Sequence, residues 1–242
     1  MRQGPPQFRR ALFQALLLGA PLLGGCRGDG NWELRARGGE AASFGLGTDA
    51  FSDGCAAVFD SFVLHIEKAD LIDEDGESGG GISLASSIDL VASDLIEVAV
   101  VPVLEGTYET VSLQLGSSDT PAVTVTGVVT CQSGTIALNL DFDGVRKLSC
   151  DADKLVIPNK DAGDTELNVA VEALFVEGAD PTSSVLVGSP YIDADANHDG
   201  DLSRAELNAL EVEDGLLGEL IEDRVDGLVR SEGGAVCARR GR

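Results

Sequence analysis

Cations are scarce in this chain. Lys and Arg total 17 against 41 Asp and Glu, and the formal net charge is −24. Residues 1–25 hold three arginines and no acid, so the remainder is more acidic still. Such a surface repels nucleic acid and anionic membranes and attracts cations, which excludes a nucleic-acid partner. Histidine is equally sparse: His65 and His198 are the two present. A serine nucleophile needs an imidazole base held by a carboxylate, and neither histidine stands in a motif of that kind. His65 falls on an alternating strand and reads as a solvent-face residue. No C-x-x-C pair exists, which together with two histidines argues against zinc. Aromatic residues make up 5% of the chain, and Trp32 and Tyr191 are too isolated to suggest a carbohydrate-stacking platform. These gaps leave an expectation that the protein is not an enzyme.

The chain has 242 residues, of which 43% are apolar, enough for one large or two small globular domains with a real core. Its first 25 residues read as an export signal. Arg2, Arg9 and Arg10 precede the apolar run Ala11–Leu23, which Gln14 and Pro21 interrupt and which is too short to span a bilayer. The run ends in Leu23-Gly24-Gly25-Cys26, which resembles the lipobox of bacterial lipoproteins. That resemblance implies lipidation of Cys26, and Arg27, in place of a retention aspartate, implies anchoring at the outer membrane. Residues 26–40, rich in Gly and Arg, read as a tether.

Several segments alternate with period two. Phe62, Leu64 and Ile66 oppose Val63, His65 and Glu67. The same pattern recurs at Val111–Leu115, Val123–Val125, Ile136–Phe142 and Leu167–Phe175. Turns rich in Gly and Asp separate them, as expected of antiparallel strands with one buried face. Leu95–Val103 is more continuously apolar and reads as a strand buried on both sides. The expectation is a mainly β protein: an antiparallel β-sandwich of seven or eight strands over residues 41–180. Gly76-Glu77-Ser78-Gly79-Gly80 faintly resembles the nucleophile segment of trypsin-like proteases, but with no base to serve Ser78 it reads as a hairpin loop. Residues 181–242 read as a helical tail docked on the sandwich, with helices over Ser203–Glu211 and from a cap at Asp214 to Val229.

Between these parts lies Asp195-Ala196-Asn197-His198-Asp199-Gly200-Asp201-Leu202-Ser203-Arg204-Ala205-Glu206. Oxygen-bearing side chains fall at positions 1, 3 and 5 of this stretch, glycine at 6 and glutamate at 12. The pattern matches the calcium loop of the EF-hand family. The resemblance implies Ca²⁺ as the cofactor. Asp195, Asn197, Asp199 and Glu206 would supply side-chain oxygens, Asp201 its carbonyl, and Ser203 a direct or water-bridged contact. Leu202, at position 8, is the apolar residue by which such loops anchor to a partner strand. No second loop exists, and Gly188 and Pro190 spoil the preceding helix, so the reading is a single truncated hand rather than a calmodulin-like switch.

Beyond Cys26, four cysteines remain: Cys55, Cys131, Cys150 and Cys237. In an exported chain an even number suggests two disulfides. If residues 122–150 formed a three-strand meander, Cys131 and Cys150 would flank its middle strand. They would then stand roughly 9–10 Å apart, beyond the roughly 7 Å reach of a bridge. The favoured pairs are therefore Cys150–Cys237 and Cys55–Cys131.

The order of elements resembles a family of uncharacterised bacterial lipoproteins. The stretches carrying the likeness are Asp49-Ala50-Phe51-Ser52-Asp53-Gly54, Gly106-Thr107-Tyr108, and Leu167–Phe175 running on to Asp195. That family implies no activity. The expected role is a calcium-binding, lipid-anchored envelope protein with a structural or interaction function. The alternatives are a glycan- or protein-binding adhesion module shaped by calcium, and an envelope hydrolase with no recognisable site.

Overall fold

The computed structural model describes residues 28–92, 95–178, 183–231 and 234–239. The first half of the chain forms β1 (Asp29–Arg37), α1 (Gly39–Phe44), β2 (Ala56–Ile72), β3 (Ser78–Asp89), β4 (Ile96–Leu104) and β5 (Gly106–Leu115). There follow β6 (Val123–Cys131), β7 (Gly134–Phe142), β8 (Arg146–Ile157) and β9 (Ala162–Val169). The tail contributes α2 (Ser189–Ala194), β10 (Asp201–Leu202), α3 (Arg204–Leu207), β11 (Glu211–Val212), β12 (Gly215–Leu216), α4 (Leu217–Asp226), β13 (Val229–Arg230) and β14 (Ala238–Arg239). Among the described residues no helix is long and apolar enough to cross a membrane.

The protein is mainly β, built on two facing sheets. The smaller runs β13-β9-β1-β4; the larger runs β10-β7-β6-β2-β5-β8-β14, with β3 on the other edge of β2. Their inner faces meet in one contiguous core that contains Trp32, Leu34 and Ala36 of β1 and Phe62, Leu64 and Ile66 of β2. Alternation is the cause: every second side chain leaves the pleat on the same side, and burying that side removes a continuous apolar surface from water. The Trp32 indole N–H donates to Thr165 Oγ1 at 3.1 Å, so its one polar atom is satisfied inside.

β2 organises the larger sheet. Its first half pairs with β6 and its second half with β5. The change falls at His65, whose N–H donates to Ala122 O at 3.0 Å and whose carbonyl accepts from Gly116 N at 2.9 Å. One long strand therefore holds two shorter ones end to end.

Several expectations are corrected here. The supposed tether contains the central strand of the smaller sheet: β1 lies between β9 and β4. Its outward Arg35 and Arg37 disguise the buried Trp32-x-Leu34-x-Ala36 row, and they pair there with Glu33, Asp164 and Glu166. The sandwich is not wholly antiparallel, since β1–β9 and β7–β10 run parallel. β4 is buried on one face only, with Val101 and Val103 turned to the core while Val100 on the opposite face stays 46% exposed. Val171–Phe175 is a 3₁₀ turn rather than the end of a strand. It carries Phe175 into an aromatic cluster, 5.3 Å from the Phe51 ring and 4.9 Å from Tyr191.

The tail docks on the sandwich, and it also extends both sheets. β13 joins β9, β10 joins β7 and β14 joins β8. Leu207, Leu217, Ile221, Val225 and Val229 belong to the common core. Its helices are shorter than expected. A hairpin of β11 and β12 replaces the end of the first helix, and α4 starts after Leu216 with no side-chain cap from Asp214. The disulfides are Cys55–Cys131 and Cys150–Cys237. The pairing is the favoured one, but the meander behind it does not form. β8 leaves β7 and crosses to β5, and the other edge of β7 takes β10.

Candidate functional site

The stretch Asp195–Glu206 leaves the end of α2 and enters α3. Asp195 is 8% exposed. Its Oδ1 accepts from Asp199 N at 3.3 Å and its Oδ2 from Gly200 N at 3.1 Å. Asn197 Oδ1 also accepts from Asp199 N, at 2.8 Å, and Asp199 Oδ1 accepts from Asp201 N at 2.9 Å. Short acidic and amide side chains thus fold the loop by taking its own N–H groups, the use to which Asx residues are suited. His198 and Gly200 both have left-handed backbones, with φ of 58° and 84°. Glycine meets that requirement at no steric cost; His198 accepts a small strain.

Leu202 is 1% exposed and anchors the loop. It pairs with Leu138 and Asp201 with Ala137 in a two-residue parallel ladder. Ala137 N adds a bond to Gly200 O at 2.8 Å. The edge of β7 thus supplies the loop with a partner strand.

Ser203 and Glu206 form a capping box. Ser203 Oγ accepts from Glu206 N at 3.3 Å, while Glu206 Oε2 accepts from Ser203 N at 2.9 Å and from Ser203 Oγ at 2.7 Å. Glu206 Oε1 is sealed from solvent and has no hydrogen-bond partner. Among the described residues no three His, Cys, Asp or Glu groups converge as a metal-holding cluster. Asp195 and Asp199 are turned toward loop amides, and Glu206 toward its cap. The available donors are hard oxygens, the kind that suit Ca²⁺ rather than a thiophilic metal.

Sequence reading missed the supports of this loop. Gly188, the N-cap of α2, has no side chain to cap with. Asp53 supplies one from across the fold: Oδ2 accepts from Gly188 N and Ser189 N, each at 2.8 Å, and Oδ1 from Cys55 N at 3.2 Å. Burial by itself would raise this carboxyl's pKa. The N–H groups of Ser189, Gly188 and Cys55, with the Ser189 hydroxyl, outweigh it and hold the group below its usual value. Tyr191, on α2, donates its hydroxyl to Leu174 O at 2.6 Å. Arg224 donates to the same carbonyl and to Gly178 O, each at 2.9 Å. On the exit side Arg204 lies 5.1 Å from the Phe142 ring centre and pairs with Glu222. Glu222 and Asp226 both pair with the buried Arg146, and Asp226 also holds Arg239. A chain of ion pairs thus runs from the loop's exit helix through α4 to β8 and β14. Asp53-Gly54 looks like any turn in sequence, and none of these arginines stands in a motif.

His65 lies in a row across the open face of the larger sheet. Its Nδ1 is 2.8 Å from Ser87 Oγ and its Nε2 is 3.4 Å from Thr124 Oγ1; Thr124 in turn donates to Asp141 Oδ1 at 2.8 Å. Ser78 begins β3, after a hairpin turn that Asp73 Oδ1 closes through Asp75 N and Glu77 N. Cys26 and the export signal lie outside the described residues. No protein-family model matches this chain, and no curated protein or solved structure matches it.

Proposed function

We propose that this is an exported, lipid-anchored envelope protein that binds one calcium ion at Asp195–Glu206. Its role is structural or interactive rather than catalytic. The carboxylates of Asp195 and Asp199, the Asn197 amide oxygen, the Asp201 carbonyl and both oxygens of Glu206 hold the ion, with Ser203 direct or through water. The observation that carries this reading is Glu206 Oε1, a buried carboxylate oxygen with no partner at the last position of a twelve-residue oxygen-rich loop. An unsatisfied buried acceptor costs free energy that a cation would recover. Two further facts support it: the left-handed turn at Gly200 and the anchoring of Leu202 on β7. The ion clamps the joint between the sandwich and the tail strands that complete both sheets.

Calcium titration of the mature protein by calorimetry tests the site. One ion per chain is expected, with a Kd of roughly 10⁻⁴ M, the tighter end of extracellular modules, because β7 replaces the missing partner loop. Absence of heat at millimolar calcium overturns the assignment. The anchor is tested separately. Cys26→Ser should leave unprocessed precursor, and a mature N-terminus away from Cys26 would exclude lipidation there.

A further inference from the structure

On the outer face of the smaller sheet, α1 and the end of β9 border an open groove of about 520 Å³. The volume is within the range of small-molecule sites. Three residues form a cross-strand row along it. Asn168 of β9 pairs in register with Arg37 of β1 on one side and Arg230 of β13 on the other. Registered neighbours share a face, so all three serve the groove.

Arg230 is the exception among the described arginines. Arg35 pairs with Glu33, Arg37 with Glu166, Arg146 with Glu222 and Asp226, Arg204 with Glu222, and Arg239 with Asp226. Arg224 gives its protons to two carbonyls. Among the described residues the Arg230 guanidinium has no such acceptor, and its Nε, like those of Arg146 and Arg224, is sealed from solvent without a partner. In a chain of net charge −24 this is not for want of acids. A half-buried guanidinium with no acceptor carries a desolvation cost that an oxyanion would offset. Asn168 Oδ1 is taken by Arg37 Nε at 2.8 Å, which leaves the amide N–H groups of Asn168 as further donors.

The same groove is lined by Glu40 and Glu172, and neither forms an ion pair with Arg230. Leu46 and the buried Leu186 supply apolar surface beside them. An unpaired cation, two unpaired carboxylates and an apolar wall share one groove without neutralising one another. A plain anion would be repelled by the acids and a plain cation by Arg230. A ligand carrying both charges satisfies each.

We propose that this groove binds a free α-amino acid with an apolar side chain. Arg230 and the Asn168 amide take its carboxylate, Glu172 or Glu40 takes its ammonium, and the side chain rests on Leu46 and Leu186. The site is independent of calcium.

The test is calorimetric or NMR titration of the mature protein with leucine, 4-methylpentanoate, isoamylamine and inorganic phosphate. 4-Methylpentanoate lacks the ammonium and isoamylamine the carboxylate. Leucine should bind, with each single-charge analogue and phosphate at least about tenfold weaker, the scale of one lost charge-assisted hydrogen bond. Arg230→Gln should abolish leucine binding while the melting temperature stays close to wild type. Glu172→Gln should weaken leucine and strengthen 4-methylpentanoate. Should Arg230→Gln not fold, Arg230→Lys serves in its place and should bind leucine more weakly, since an ammonium cannot reproduce the planar fork. The wild-type ranking of the four probes stands without any variant. The proposal is overturned by no leucine binding at tens of millimolar, by equal or tighter binding of 4-methylpentanoate or phosphate, or by an Arg230 variant that binds leucine as wild type does.

Discussion

The Asp53 carboxylate caps the helix that leads into the Asp195–Glu206 loop, taking Ser189 N–H at 2.8 Å although 136 residues separate the two in sequence. The same carboxylate holds the amide of Cys55, which is bridged to Cys131. The loop's entrance is thus tied to the start of β2 and to a covalent staple. Asp53→Ala should cost about 1 kcal/mol in urea unfolding, the usual worth of a cap, and should weaken calcium binding measurably. Asp53→Asn should retain part of both, because an amide oxygen still accepts. The carboxyl is held below its usual value of 3.8, so its contribution is present above that value. It is lost as pH falls through the lower folded-state value. The loss should be absent from acid titrations of Asp53→Ala.

Calcium should raise the melting temperature of the wild-type protein. At a hundredfold excess over Kd the linkage amounts to about 2.7 kcal/mol. Glu206→Ala should abolish that shift, while His65→Ala and Ser78→Ala leave it intact. Equal melting in calcium and in chelator would remove the structural role of the ion. A large calcium-induced rise in hydrophobic-dye binding would point to a sensor instead.

Leu202 is the loop's foothold on β7. Leu202→Ala should cost about 3 kcal/mol through lost burial and the cavity left behind. Because the β10–β7 ladder orders the second half of the loop, calcium affinity should fall in the same variant, read by calorimetry. An unchanged affinity would mean that the ladder does not shape the site.

Stability should depend on His65 near neutral pH. Burial holds its pKa below the usual 6.5, against a smaller upward pull from Asp141 and Glu67. The native state therefore favours the neutral ring, and the unfolded chain takes up the proton first. The contribution is present above pH 6.5 and is lost as pH falls through the folded-state value. His65→Gln should flatten the stability profile between about pH 7 and 5, measured by denaturant unfolding.

The Cys150–Cys237 bridge closes a separation of 87 residues and holds β14 against β8. Cys150→Ser together with Cys237→Ser should lower stability by roughly 2–4 kcal/mol. Amide exchange should rise first at Val229, Arg239 and their partners on β9 and β8. Uniform loosening of the whole sandwich would show instead that the tail and the sheets unfold as one unit.

The strands that alternate cleanly, β5, β6 and β7, stand close to where the period-two pattern placed them. Their faces are decided by neighbours two residues apart, a distance any reading of sequence covers. β1 was hidden because charged residues alternate with its buried ones and glycines precede it. β4 looked doubly buried because apolar residues such as Val100 also stand on its open face. The cysteine pairing agrees with the structure although the meander from which it was argued does not form, because β8 pairs with β5 rather than β7.

Within Asp195–Glu206 the order of oxygens, the glycine turn at Gly200 and the capping pair Ser203–Glu206 are consequences of local sequence. Each depends on atoms within a few residues, so the chain alone determined them. Tertiary structure decided what the loop rests on and what its charges meet. The β7 edge under Leu202, the Asp53 cap on α2, the Arg204–Glu222–Arg146 chain and the unpaired Arg230 beside Asn168 join residues 18 to 136 positions apart or set in different strands. Contacts of that reach are chosen by how two sheets close over one core, and no local pattern of residues records that choice.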